Sequence, residues 1–405
     1  MLDNGKAEGV RKIKRFEKYC LKDIATVSQG FTFSRLYQGK KNLKWNYFKV
    51  ADIGLNPNSK YLTNAINTIS DITMEEIGAL PFPKGSIVFP RVGAALFNNN
   101  KKILAQDGVV DDNVLVLTVT DTSKCWHEFL YYYLQGIPLA KWCNSGLVPV
   151  INTKTVLSQM VFLPPLPEQQ KIATILSTQD KVIELKEKLL VQKQQQKKYL
   201  MQQLLTGKKR LPGFCEKWTR KQLGELFENR VEINRSDLGL LAITSTRGIL
   251  PRDCLDLKDN SSEDKSKYLR ICPDDIGYNT MRMWQGVSAY SEYEGIVSPA
   301  YTILAPMEGV YSHYFAYLFK TQSVIFSFYR FSQGLVDDTR NLKYENFKKI
   351  GVSIPSNVAE QRAIVQILST ADHEIDLLQK SIEAEKQKKK ALMQLLLTGK
   401  VSVRI

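Results

Sequence analysis

"EQQKIATILSTQDK" at Glu168–Lys181 and "EQRAIVQILSTADH" at Glu360–His373 are two versions of one helix opening, 192 residues apart. Both continue without a gap, to "MQQLLTGK" (Met201–Lys208) and "MQLLLTGK" (Met393–Lys400). Across these 41 aligned positions 22 residues are identical. Self-similarity at one long offset marks an internal duplication, and it sets the boundaries of everything between the copies.

Each copy carries an apolar stripe. In the second it runs Ile364, Leu368, Ala371, Ile375, Leu378, Ile382, Leu392 and Leu396; in the first, Ile172, Leu176, Ile183, Leu190, Leu200 and Leu204. Alternating three–four spacing is the seam of a coiled coil. Polar residues interrupt both seams near the middle, at Lys193 and Lys197 and at Glu385 and Lys389. Asn357 and Glu360 form a capping-box pattern, and Pro167 suits a first helical turn. Gly207 and Gly399 follow the last leucines, where a left-handed C-cap is wanted. Such a helix is about 57 Å long at 1.5 Å per residue. Neither stripe covers the whole helix, so each needs a partner, and the other copy is the simplest one.

The stretches between the copies read differently. Short apolar runs such as "GSIVFPRVG" and "NVLVLTVT" are broken by Gly, Pro and Asn, as strands are. "HEFLYYYLQG" (127–136) reads as an amphipathic helix. Faint likeness links the two stretches: "FEKYCLKDIA" (16–25) with "WTRKQLGELF" (218–227), "SGLV" (145–148) with "QGLV" (333–336), and "SIVFPRVG" (86–93) with "DIGYNTMRMWQG" (275–286). The division expected is 1–162, mixed; 163–210, helical; 211–355, mixed; 356–405, helical. The fold class is α+β: two domains of mixed α/β structure joined by two long helices in a pseudo-twofold duplication.

The 405 residues carry 56 Lys and Arg against 41 Asp and Glu, a net charge of +15, which favours a polyanionic partner. The charge is uneven. Segment 1–162 has 20 basic and 13 acidic residues, and 163–210 has 10 and 4. Segment 211–355 has 18 of each, and 356–405 has 8 and 6. No apolar run is long enough to span a membrane, and the N-terminal stretch has no apolar core of a secretory signal. The six cysteines are scattered without a CxxC pair and only three histidines exist, which suits free thiols in a reducing cytoplasm and no structural metal.

Catalytic chemistry is not legible. "LLTGKK" lacks the upstream glycine and following Ser/Thr of a phosphate loop. "LPPLP" lacks the Asn and the aromatic ring that an adenine methyltransferase uses on a flipped base. Acid pairs at 111–112 and 274–275 suit turns better than metals.

A DNA reader needs cations for phosphates and planar polar groups for base edges. "PRVGAALFNNNKKI" offers Arg91, Asn98, Asn99, Asn100, Lys101 and Lys102. "YNTMRMWQG" offers Tyr278, Asn279, Arg282 and Gln285, with Trp284 read as core. Arg247 follows a predicted strand, and Lys154, Arg340 and Lys343 precede the two long helices. A coiled-coil scaffold with two protein-binding heads is the competing reading. It differs in one respect: DNA binding weakens steeply with salt.

Taken together, "LPPLPEQQKIATILSTQDK…MQQLLTGKKRLPGFCEKW", "AEQRAIVQILSTADHEIDLLQ…MQLLLTGK" and "NTMRMWQG…GIVSPAYTIL" (279–304) resemble the specificity subunits of type I restriction-modification enzymes, in order and over essentially the whole chain. The second helix opening departs from the pattern, with "SNVAEQ" where the first has "PLPEQ". The resemblance implies two target recognition domains, each reading half of a split DNA sequence. Antiparallel helices would set the gap between the halves. It implies no catalysis or cofactor in this chain. Two methyltransferase subunits would use S-adenosylmethionine on adenine N6, and two ATP- and Mg-dependent restriction–translocase subunits are further expected partners. The setting would be a bacterial or archaeal cytoplasm.

Overall fold

A computed structural model describes residues 16–55, 59–144, 146, 148–244, 248–254 and 264–404. By its contacts the chain divides into two compact units, Met1–Leu189 with Gln379–Ile405, and Leu190–Leu378. Each long helix therefore contributes one part to each unit.

The first unit is built on a five-stranded sheet in the order Ala25–Gln29, Val114–Val119, Ile87–Pro90, Lys102–Leu104, Tyr61–Leu62. Neighbours are antiparallel except the last pair. Strand alternation explains its apolar content. Ile87 and Phe89 face one core with Leu115 and Leu117, while Val88 faces another with Val116, Phe48 and Leu62. Both faces are covered, so "IVFP" is apolar throughout. The first core is closed by Phe129, Leu130 and Tyr132 of the helix His127–Gln135, by Ile172, Leu176 and Leu396 of the long helices, and by Leu397 just past the second. Burying each of these large side chains contributes roughly 1.5–3 kcal/mol. One glycine is demanded by close approach: a Cβ on Gly30 would lie 2.2 Å from the Val110 carbonyl oxygen.

The second unit repeats the plan. Its four-stranded antiparallel sheet runs Phe227–Asn229, Tyr301–Pro306, Ile276–Asn279, Ser288–Tyr290. Ile276, Tyr278 and Leu304 face a core with Phe315, Phe319, Phe328 and Phe347, and with Leu204, Ile364 and Leu368 of the long helices. In both units the strand that enters the domain pairs with the strand that leaves it, Glu17–Cys20 with Met160–Leu163 and Thr219–Gln222 with Gly351–Ile354.

The long helices are Leu166–Leu204 and Val358–Leu396, of 39 residues each. Every residue of the predicted stripes is buried or half-buried. The polar interruptions are the interhelical ion pairs. In the first unit Asp180 pairs with Lys389 at 2.5 Å and Lys186 with Glu385 at 2.8 Å. In the second, Lys193 pairs with Glu374 at 2.7 Å and Lys197 with Asp372. Numbers rise on one helix as they fall on the other, so the pairing within each unit is antiparallel. Gly207 and Gly399 both take φ +71°, the expected left-handed caps.

The capping box forms only in part. Asn357 Oδ1 accepts from the Ala359 amide at 2.8 Å, but Glu360 is buried and binds Arg210 through two bonds of 2.6 and 2.7 Å. A buried carboxylate demands a charged partner more than a helix needs a second cap.

Candidate nucleic-acid interface

In the second unit the chain leaves the strand Ile276–Asn279, turns through the short helix Met283–Gln285 and meets the segment just before the short helix Tyr344–Phe347. The Leu342 amide donates to the Thr280 carbonyl at 2.9 Å, and the Tyr278 hydroxyl to the Leu342 carbonyl at 3.1 Å. Two predicted stretches, 279–285 and 339–343, are thus brought together. Arg282 and Gln285 are exposed on one, Lys343 on the other. Neither Arg282 nor Lys343 forms an ion pair among the described residues. Asn279 is half-buried and caps its own turn through the Met281 amide at 2.9 Å. Arg340 is half-buried, with its guanidinium carbon 4.1 Å from the Tyr329 ring centroid and 5.8 Å from that of Trp284. Trp284 is half-buried rather than core, with its indole N–H donating to the Met281 carbonyl.

The first unit has the same junction. The strand Ile87–Pro90 is followed by the short helix Ala94–Asn98. The Ile151 amide donates to the Arg91 carbonyl, and the Gly93 amide to the Pro149 carbonyl, both at 2.9 Å. Arg91 is half-buried, its Nη1 donating to the Asp112 carbonyl at 3.4 Å. Asn98 and Lys154 are exposed and Asn100 is half-buried.

Several predicted contacts are elsewhere. Lys101 is 2 % exposed, and its ammonium donates to Asn99 Oδ1 at 2.6 Å and the Ile137 carbonyl at 2.9 Å. Asn99 is spent on that bond and on the Leu139 amide. Lys102 is equally buried and donates to the Ser59 carbonyl. Burial pushes Lys101 down to about 7 and Lys102 down to about 8, since the charged form is poorly solvated. The expectation that both lysines meet phosphates is therefore corrected: they are internal props of the loop. Tyr278 is fully buried and stacks on Phe347, so it is a core residue, not a base reader. Arg247 lies outside the described residues.

Several cations of the second unit are neutralised by ion pairs. In the second unit Arg230 makes a two-bond pair with buried Asp275, Arg235 pairs with Asp237 and Glu232, and Arg270 with Glu232 and Glu294. The first unit instead exposes Arg35, Lys40 and Lys41 on one loop with no ion pair among the described residues, while Lys44 of the same loop pairs with Asp71. These were not singled out above, although the run "SRLYQGKKNLKW" (34–45), basic and aromatic without an acid, was there to be read. Among the described residues no cluster of His, Cys, Asp or Glu could hold a metal ion, and no helix is long and apolar enough to cross a membrane.

Residues 13–195 and 278–386 match the family described as the type I restriction modification DNA specificity domain. Among solved structures, the type I restriction-modification system S subunit from M. genitalium matches at 15% identity and TM-score 0.59, over 96% of this chain and 98% of that one. The HsdS subunit from Thermoanaerobacter tengcongensis matches at 14% and 0.50, over 96% and 98%. A third structure, from work on complex assembly and conformational transition of the type I R-M system, matches at 13% and 0.57, over 95% and 98%. At such identities these likenesses speak for the fold.

Proposed function

Because the chain belongs to the type I restriction-modification DNA specificity family, whose specificity subunits are non-catalytic, we propose that it reads a split DNA target, one half-site per unit. Each junction would lie against one half-site. Exposed Arg282, Gln285 and Lys343 serve one, and Arg91, Asn98 and Lys154 the other. Arginine suits guanine, amides suit adenine, and lysines suit phosphates. The long helices set the unspecified gap. The chain recruits two methyltransferase subunits, which bring S-adenosylmethionine and flip the target adenines. Two ATP- and Mg-dependent restriction–translocase subunits complete the assembly in systems that carry them. Such a complex works in the cytoplasm of a bacterium or archaeon.

One observation carries the reading. The same strand-end junction, with exposed cationic and amide side chains, is built twice from divergent sequence, while the helices kept theirs. A duplicated scaffold with diverged surfaces suits two different half-sites held by one frame.

The test is a methylome. The chain is co-expressed with the methyltransferase gene encoded beside it, and host DNA is sequenced for N6-methyladenine. Two short specified blocks around a fixed gap, with a methylated adenine in each, are expected. No new methylation from a folded, assembled complex would overturn the reading in favour of a protein scaffold.

A further inference from the structure

We propose that the loop Thr32–Lys44 of the first unit grips the phosphate backbone beside its half-site, so that the first unit supplies most of the salt-sensitive affinity. This rests on the DNA-specificity reading and adds a division of labour to it.

Between Thr32 and Lys44 there are four basic residues and no acidic one. Lys44 pairs with Asp71 at 2.8 Å, but Arg35, Lys40 and Lys41 are exposed and form no ion pair among the described residues. Their charge is free for an external anion.

The loop is held in shape. Thr68 N donates to the Lys40 carbonyl at 2.9 Å, Gly39 N to Asn67 Oδ1 at 2.8 Å, and Leu43 N to Thr68 Oγ1 at 3.0 Å. The tip turns at Gly39 and Asn42, with φ of +82° and +59°. Cations on a pinned backbone lose less entropy on meeting phosphates than cations on a free strand.

The loop also adjoins the candidate interface. Its base is tied by the Phe31 amide to the Val110 carbonyl at 2.8 Å and by Thr32 Oγ1 to Asp112 Oδ2 at 3.0 Å. The same turn receives Arg91, through its amide on the Asn113 carbonyl at 2.8 Å and its Nη1 on the Asp112 carbonyl. Cations and candidate base reader thus share one support.

The corresponding segment of the second unit leaves the strand Phe227–Asn229 and carries Arg230 and Arg235. Both are already neutralised, by Asp275 and by Asp237 with Glu232. Among the described residues, that segment holds no cation without an ion pair.

The test uses the full chain assembled with its methyltransferase partner and a duplex carrying the motif found by methylome sequencing. Affinity is measured against salt. Each phosphate contact adds roughly 0.9 to the log–log slope. The combined Arg35→Ala, Lys40→Ala and Lys41→Ala variant is expected to flatten the slope by about 2 to 3 on that basis, with both methylated blocks unchanged. Lys40→Arg with Lys41→Arg should keep the slope, and Arg235→Ala should leave it nearly unchanged. An unaltered slope in the triple variant overturns the inference, as does a changed first block, or an equal loss from Arg235→Ala. If the unmodified complex shows no preference for the motif over a scrambled duplex, the specificity reading itself fails and takes the inference with it.

Discussion

Asp180 and Asp372 stand 192 residues apart in the chain and hold the same two kinds of partner. Asp180 accepts from the Tyr132 hydroxyl at 2.6 Å and pairs with Lys389; Asp372 accepts from the Tyr317 hydroxyl at 2.7 Å and pairs with Lys197. Each lysine also lies over its tyrosine ring, at 6.0 and 5.6 Å. Each triad links a domain helix to both long helices of its unit. The second is more open: the Asp372 side chain is 40% exposed and that of Asp180 20%. Asp180→Ala is expected to cost about 1–3 kcal/mol, since it strands a buried hydroxyl and an ammonium. Asp372→Ala should cost less. Thermal unfolding of the two variants checks the order, and a larger loss at Asp372 would refute it.

Stability should rise with pH above neutrality through Lys101. Its folded value is depressed to about 7, whereas an unfolded lysine keeps its proton to about pH 10. Between those limits the unfolded chain binds more protons, so the burial penalty is relieved as pH rises. Below the folded value the penalty is present in full. Lys101→Met should flatten the rise in urea midpoint between pH 7 and about 9.5. Parallel curves for the two proteins would show that Lys101 does not titrate in that window.

Arg282→Ala should change only the block read by the second unit. A bidentate arginine–guanine pair is worth about 1–3 kcal/mol of discrimination, enough to relax one position in the methylome. If the other block changes as well, or assembly with the methyltransferase is lost, Arg282 is structural.

Gly30 and Gly54 make a matched pair. A Cβ on Gly30 meets two backbone carbonyls, at 2.2 and 2.3 Å, whereas one on Gly54 meets nothing within 4 Å. Gly30→Ala is expected to destabilise by about 1–3 kcal/mol or more, because backbone cannot swing aside. Gly54→Ala, in the helix Val50–Leu55, should be neutral or mildly stabilising. Equal melting temperatures would contradict the close packing.

Four residues inserted into the first long helix add about 6 Å, or roughly two base-pair steps of 3.4 Å. The methylated motif should keep both blocks and change its gap, or activity should fail through misregistered ion pairs. An altered block with an unaltered gap would remove the helices from the role of spacer.

The helices were legible because their stripe, caps and repeat are local in sequence. So were the strands around Ile87–Pro90 and Val114–Val119 and the helix near Phe129. The candidate interface was legible only in part. Lys101 and Lys102 read as surface cations, but the carbonyls that accept their hydrogen bonds come from Ile137 and Ser59, 36 and 43 residues away. Tyr278 read as a planar donor, yet strand alternation turns it inward with Ile276. Arg35 and Lys40 are not legible as a site, because a charge run without periodicity says nothing of its neighbours. Only the fold sets that loop beside Arg91.

The first unit's core mixes distant parts of the chain: Phe129, Tyr132 and Leu176 pack with Leu392, Met393, Leu396 and Leu397. The second unit, Leu190–Leu378, is continuous. A ribosome releases residues in numerical order, so the part synthesised first becomes complete last. The usual N-to-C order of domain folding is reversed. During translation the nascent first unit must wait with an apolar face uncovered, a natural client for a holding chaperone. A product cut short before Leu392 can never cover that face, and it carries its own signal for degradation.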